Sequence, residues 1–307
     1  MGASPSAVVL ARAADDKVLP ALSFGVRVPR HGHARVHSIF ARAANLQLPG
    51  WRLIVLLAAE YPNVPHGIRM AATAWTRCRS CLRVGDLVHL ESTRLRFPRS
   101  GVNVDLSTAK RWQVELARTS IDWSDPRVVG AFTAAYEASH SLAKITADSV
   151  AALYRRRLAS ALPPLESAIA CLRVDAASEQ LQRLLGLGPG LTPSGDDFIV
   201  GCLAGLAVST RNAPARRQFL AEVARILEHD LGATTPISRQ HLSDACRLEF
   251  AQPLAELAIA IGCGARDVRT KVSAALRIGA CSGADGVAGL LFALQAWQSQ
   301  ATPSAGR

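Results

Sequence analysis

The sequence predicts an α+β fold: a β-rich N-terminal domain over residues 1–125, followed by an all-helical C-terminal domain over residues 126–307. Three observations predict it. Short apolar or alternating segments recur between turn formers through about residue 125. From Pro126 onward the chain turns to long Ala- and Leu-rich stretches at helical spacing. Strands and helices stay segregated, which disfavours a doubly wound nucleotide fold. A length of 307 residues gives each half room for its own core.

Taken in order, the strand-like segments are Phe24–Val28, Ala34–Phe40, Arg52–Ala58, Asp86–Leu90, Thr93–Phe97 and Val102–Leu106. Pro49-Gly50, Pro62-Asn63 and Arg99-Ser100-Gly101 separate them. Apolar residues at helical spacing place helices near 126–160, 164–185, 196–210, 214–230, 236–249, 252–262, 265–278 and 284–299.

Composition narrows the function classes. Hydrophobic residues make up 49% and charged residues 19%, which excludes a disordered or fibrous chain. The longest unbroken apolar run, Phe198 to Val208, falls well short of the ~20 residues needed to cross a bilayer. A soluble cytoplasmic protein without a membrane partner is the expectation. The net charge is +11, yet almost all of the basic residues are Arg, and they are scattered. Aromatics are only 5% and interleave no basic stripe, so nucleic-acid binding is not expected. The excess is uneven, since most of it falls in residues 1–150. The seven cysteines read as reduced, mostly buried thiols. Cys78 and Cys81 have the spacing of half a zinc site, but no second pair matches it. His31, His33 and His37 share one face of a strand. With no acidic or thiol partner nearby, a solvated basic face is preferred over zinc.

The most unusual stretch runs from Gly186 to Asp197, GLGPGLTPSGDD. Three glycines stand at alternate positions, followed by Thr192-Pro193-Ser194-Gly195. Thr192 suits an N-cap and Pro193 the first helical position. A helix starting there would aim unpaired amides at an anion. The run is neither a dinucleotide fingerprint nor a P-loop: Leu191 replaces the third glycine of the former, and Asp196-Asp197 the Lys-Ser/Thr of the latter. Two adjacent carboxylates suit holding Mg²⁺, accepting from an amide or amine, or general base work. The plainer alternative is that they only complement the helix dipole, worth ~0.3–1 kcal/mol each.

The loop has an echo. The stretch from Ser194 aligns with the one from Ser282, and six of thirteen positions agree (Ser, Gly, Asp, Gly, Leu, Leu). Each copy is an S-G-x-D head on an apolar, glycine-spotted helix. Gly201 and Gly205 form a small face suited to close helix packing, so the two helices are expected to pack with both heads on one pocket. Between the copies, Thr235-Pro236 repeats the cap-plus-proline start. Thr235 and Ser238 could offer hydroxyls to an anion, or simply cap a helix.

Taken together, GLGPGLTPSGDDF at 186–198, the TxxSxxxL from Thr235 to Leu242 and the SGAD–GLL at 282–291 resemble the bacterial family named after AllH, a subunit of oxamate carbamoyltransferase. The resemblance extends into the β-rich half, through Val36–Ser38 and Asn45-Leu46. It implies a β-rich first half and a helical second half that carries all three motifs. It also implies carbamoyl exchange between oxalurate and phosphate, giving oxamate and carbamoyl phosphate, in anaerobic-type purine (allantoin) breakdown. The implied partners are a small anionic substrate and two other subunits, one resembling an acyl-CoA synthetase. Family members often carry His at the position that is Ala280 here.

Helix N-termini can stabilise the oxyanion and phosphate of such a reaction. The expected catalytic residues are Asp196 and Asp197. The expected substrate- or anion-binding residues are Gly188, Gly190, Thr192, Ser194, Gly195, Thr235, Ser238, Ser282, Gly283 and Asp285. No metal ligand is assigned, although Mg²⁺ is the cation the two aspartates would suit. The competing reading is a non-catalytic metabolite-binding or regulatory subunit.

Overall fold

The computed structural model describes residues 17–298, apart from 115, 117, 118, 143–148 and 211. The chain divides into two compact units, residues 1–113 and 114–307.

The first unit is built on β1 (Lys17–Gly25), β2 (Gly32–Ile39), β3 (Ala43–Gln47), β4 (Leu53–Ala58), β5 (Gly67–Met70), β6 (Leu87–Glu91), β7 (Arg94–Phe97), β8 (Val102–Asp105) and β9 (Lys110–Trp112). The sheet order is β5-β4-β3-β2-β6-β7-β8-β1-β9, and β1 also pairs with β5, which closes the sheet into a barrel. Alternation fills the interior with Val36, Leu46, Ile54, Leu56, Ile68, Leu95 and Val104, all essentially inaccessible. Gly50 and Gly101 turn the chain at positive φ where the Pro-Gly and Arg-Ser-Gly signals stand.

Five elements here differ from the sequence expectation, among them the short strand β9, which no expected segment covers. The expected strand Phe24–Val28 lies instead at Lys17–Gly25. The chain leaves the sheet at Gly25, where a Cβ would come within 2.1 Å of the Pro65 carbonyl oxygen and the Val28 amide donates back to the Gly25 carbonyl. Strands β3 and β5 and helix α1 (Ala72–Cys81) carry no clear period of their own. Pairing and packing make them: Trp75 is buried and donates to the Ala41 carbonyl at 3.1 Å. Cys78 and Cys81 are both free thiols on α1, and burial pushes the Cys78 thiol up to about 12.

The second unit is helical: α2 (Pro126–Leu142), α3 (Ser149–Ala170), α4 (Val174–Gln182), α5 (Ser194–Val208), α6 (Pro214–Asp230), α7 (Pro236–Cys246), α8 (Gln252–Gly262), α9 (Val268–Leu276) and α10 (Ser282–Gln298). The expected 126–160 helix is described as α2 up to Leu142 and as α3 from Ser149, and its middle lies outside the described residues. The expected break before 164 is absent, because α3 runs through Pro163 and Pro164. Ala161, Leu165, Ala168 and Ile169 bury one side of α3, which outweighs the hydrogen bonds the prolines cannot make. The break falls instead at Leu172, with φ +52°.

Helix α5 runs through the middle of this unit. Phe198, Ile199, Cys202, Leu203, Leu206 and Val208 are fully or almost fully shielded from water. It packs along α10 at separations only glycine allows. A Cβ on Gly201 would lie 1.9 Å from the Gly286 carbonyl oxygen, and one on Gly289 would lie 2.0 Å from that of Phe198. Gly201 is the counterpart of Gly289 in the internal alignment, and Phe198 of Gly286. The contact therefore repeats itself under exchange of the two helices, as it does across a two-fold axis. Among the described residues, no helix is long and apolar enough to cross a membrane.

Candidate functional site at the heads of α5 and α10

The helix contact brings the two S-G-x-D heads together. The Thr192 and Ser282 hydroxyls, one from each side, lie 2.8 Å apart. Asp197 and Asp285 are close enough for like-charge repulsion between them. Both heads use the same local device. The Gly195 amide donates to the Leu187 carbonyl at 2.8 Å, and the Gly283 amide to the Ile278 carbonyl at 2.9 Å. A Cβ on Gly195 would sit 2.0 Å from the Leu184 carbonyl oxygen, and one on Gly283 2.2 Å from that of Ala275. Each glycine thus seats its helix start against the preceding turn.

This narrows one expectation. Three amides at the start of α5 are engaged within the chain: Gly195 donates to the Leu187 carbonyl, and Asp196 and Asp197 both donate to the Pro193 carbonyl. The cap is also one residue later than expected. Pro193 holds the N-cap position, at φ −54° and ψ 141°, and α5 starts at Ser194. The Thr192 hydroxyl is thereby released from capping and turned to Ser282.

The two adjacent aspartates face different surroundings. Asp196 is fully buried. Its Oδ1 accepts from the Gly186 amide at 2.7 Å, and its Oδ2 accepts from the Ser238 hydroxyl at 2.7 Å and from Thr234. Asp197 sits at the junction of the heads, and its Oδ2 is shielded from water with no hydrogen-bond partner. Burial lifts its pKa from 3.8 to about 7. Hydrogen bonds from Ser282 and Thr192 pull it back, while the charges of Asp285 and Asp196 push it further up.

Other expected residues fall in two groups. Gly188 and Gly190 stand at φ +119° and +101°, and around Gly190 a Cβ would meet open space. Ser194 is buried and interacts with the Cys281 thiol. Thr235 belongs to the frame: it caps α7 by accepting from the Ser238 amide at 3.1 Å, and its hydroxyl donates to the Leu191 carbonyl. Ser238 is spent on Asp196. Sequence reasoning missed Thr234 and Cys281. The thiol of Cys281 is raised by partial burial and by the charges of Asp285 and Asp197. Its place directly before Ser282 was the available signal. Ala280, beside it, is exposed. Among the described residues, no group of three or more His, Cys, Asp or Glu side chains is arranged to hold a metal ion.

Two family models match the chain. Residues 184–294, which carry both heads, match the oxamate carbamoyltransferase subunit AllH, and residues 11–111 match the AllH family N-terminal domain. Together they cover well over half of the sequence. The chain belongs to the AllH family. Membership makes it a subunit of an oxamate carbamoyltransferase by family name, and so a protein that works with partner subunits. No solved structure matches the chain.

Proposed function

We propose that the junction of the α5 and α10 heads binds the carbamoyl-bearing substrate of an oxamate carbamoyltransferase-like reaction in purine (allantoin) catabolism, in the cytoplasm. The observation that carries this reading is the buried, unpartnered Oδ2 of Asp197 at the point where two polar heads meet. A carboxyl group raised to about 7 donates when protonated and accepts when ionised. A carbamoyl end, –CO–NH₂, offers the matching acceptor and donors. In this assignment Asp197, Asp285 and the Thr192, Ser194 and Ser282 hydroxyls hold the carbamoyl end. The backbone at Gly188–Gly190 faces the anionic end, an oxamate carboxylate or a phosphate.

The chemistry that follows is proton transfer at one nitrogen. Phosphate oxygen attacks the carbamoyl carbon of oxalurate, the bond from that carbon to the oxamate nitrogen breaks, the nitrogen takes the Asp197 proton as it leaves, and the proton lost by the attacking hydrogen phosphate restores Asp197. In the reverse direction Asp197 takes the proton back. A carboxyl whose pKa lies near the working pH serves both directions. Partner subunits, one of them resembling an acyl-CoA synthetase, supply whatever the heads lack.

The test is carbamoyl phosphate formation from oxalurate and phosphate by the chain alone and by the chain with its co-purified partners. Loss of at least ~10²-fold in the assembled enzyme on Asp197→Asn is expected from removal of a proton-transfer group. Full activity of Asp197→Asn in the assembled enzyme would assign the chain to a binding or regulatory role instead.

A further inference from the structure

From the same geometry we infer that Asp196, although adjacent to Asp197 and identical to it in side chain, is a positioning residue that clamps the glycine loop to α7 and touches no ligand. The inference rests on the reading of the heads as a ligand site. It is carried by where the hydrogen bonds of Asp196 go. Its carboxylate gathers one donor from the start of the loop, the Gly186 amide, and two hydroxyls from beyond α6, Thr234 and Ser238. Segments far apart in sequence are thereby tied at one fully buried point. Thr235 adds a second tie, from the α7 cap to the Leu191 carbonyl at the far end of the loop. Between the two ties lie Gly188 and Gly190 in left-handed conformations, a stretch with little backbone preference of its own. Thr192 follows directly, and its hydroxyl must meet Ser282 for the heads to join.

The internal repeat separates the two roles. Asp197 has its counterpart in Asp285, as a group facing a shared site should. Asp196 has Ala284 as its counterpart, so only the first head carries the clamp. That first head is also the one that follows the long glycine loop; the second follows a short turn at Gly279, φ +62°. A carboxylate that accepts from three donors, with both of its oxygens engaged, is suited to hold a loop that would otherwise be free.

The experiment uses the full chain and two readouts. Amide exchange at Gly186 reports the clamp directly, whatever the site binds. Oxamate affinity, measured by calorimetry, and the kcat–KM split in the assembled enzyme report the consequence. Asp196→Ala is expected to speed Gly186 exchange by at least tenfold, and to raise Kd and KM at least tenfold. It should leave kcat within about threefold and the midpoint of the pH profile unmoved. Asp196→Asn, which keeps one acceptor for Gly186, should recover much of the affinity. Should Asp196→Ala fail to fold, the Thr234→Val/Ser238→Ala pair removes two of the three donors and should shift exchange and KM in the same direction.

A collapse of kcat with KM unchanged, equal in the Asn and Ala variants, would overturn the proposal and make Asp196 a catalytic group. Unchanged Gly186 exchange and affinity in Asp196→Ala would overturn it as well. Faster Gly186 exchange in a chain whose wild type binds no oxamate would support the clamp and refute the pocket.

Discussion

Asp197→Asn should make the protein more stable at pH 8 while removing its proposed chemistry. The wild-type carboxyl titrates at 3.8 when unfolded and at about 7 when folded. Between those values the folded chain keeps a proton that the unfolded chain has lost. Stability therefore falls as pH rises from about 4 to about 7 and is level above. At ~1.36 kcal/mol for each tenfold change in proton affinity, ionised Asp197 costs the folded state about 4 kcal/mol. Asn removes that cost but weakens the hydrogen bonds from Ser282 and Thr192, a loss of about 1–2 kcal/mol. The net expectation is a gain of about 2–3 kcal/mol at pH 8. At pH 5 wild-type Asp197 is protonated and the gain shrinks to about zero. Urea unfolding of both proteins at pH 5 and pH 8 measures this. A difference between them that does not change with pH would refute the placement of Asp197 in a desolvated, like-charged setting.

Two further outcomes test the frame around the site. Gly289→Ala should destabilise the chain by about 3 kcal/mol or more, because its Cβ would meet the Phe198 carbonyl at 2.0 Å and backbone cannot yield cheaply. Gly130→Ala, on α2 with nothing within 4 Å, should instead stabilise by about 0.5–1 kcal/mol; thermal melts of the two variants should move in opposite directions. Thr235→Ala removes the α7 cap and the tie to Leu191, and should cost about 1–2 kcal/mol in chemical denaturation.

Much of this molecule is legible in its sequence, and the exceptions share a cause. The α5–α10 contact could be read because glycine spacing and the paired S-G-x-D heads are local signals that survive in the string. The α7 start was equally open, since Thr235-Pro236 is a cap by chemistry alone. What stayed hidden depends on partners distant in sequence. Closure of the barrel needs β1 to find β5, and neither strand carries a mark of the other. Pro163-Pro164 reads as a break until the buried face of α3 is known. Asp196 and Asp197 are indistinguishable as letters. Burial against Thr234 and Ser238 for one, and against the opposite head for the other, separates a clamp from a candidate proton carrier. The +11 charge proved uninformative about the site, whose nearest ionisable groups are carboxylates and a thiol.

The central claim is that two heads form one ligand site. Calorimetric titration of oxamate and of carbamoyl phosphate into the full chain tests it most directly, with Asp197→Asn on the first head and Asp285→Asn on the second. One molecule bound per chain, with affinity lost at least tenfold in each variant, is the predicted result. Binding that survives Asp285→Asn unchanged while Asp197→Asn abolishes it would contradict a shared site and confine the function to the glycine loop.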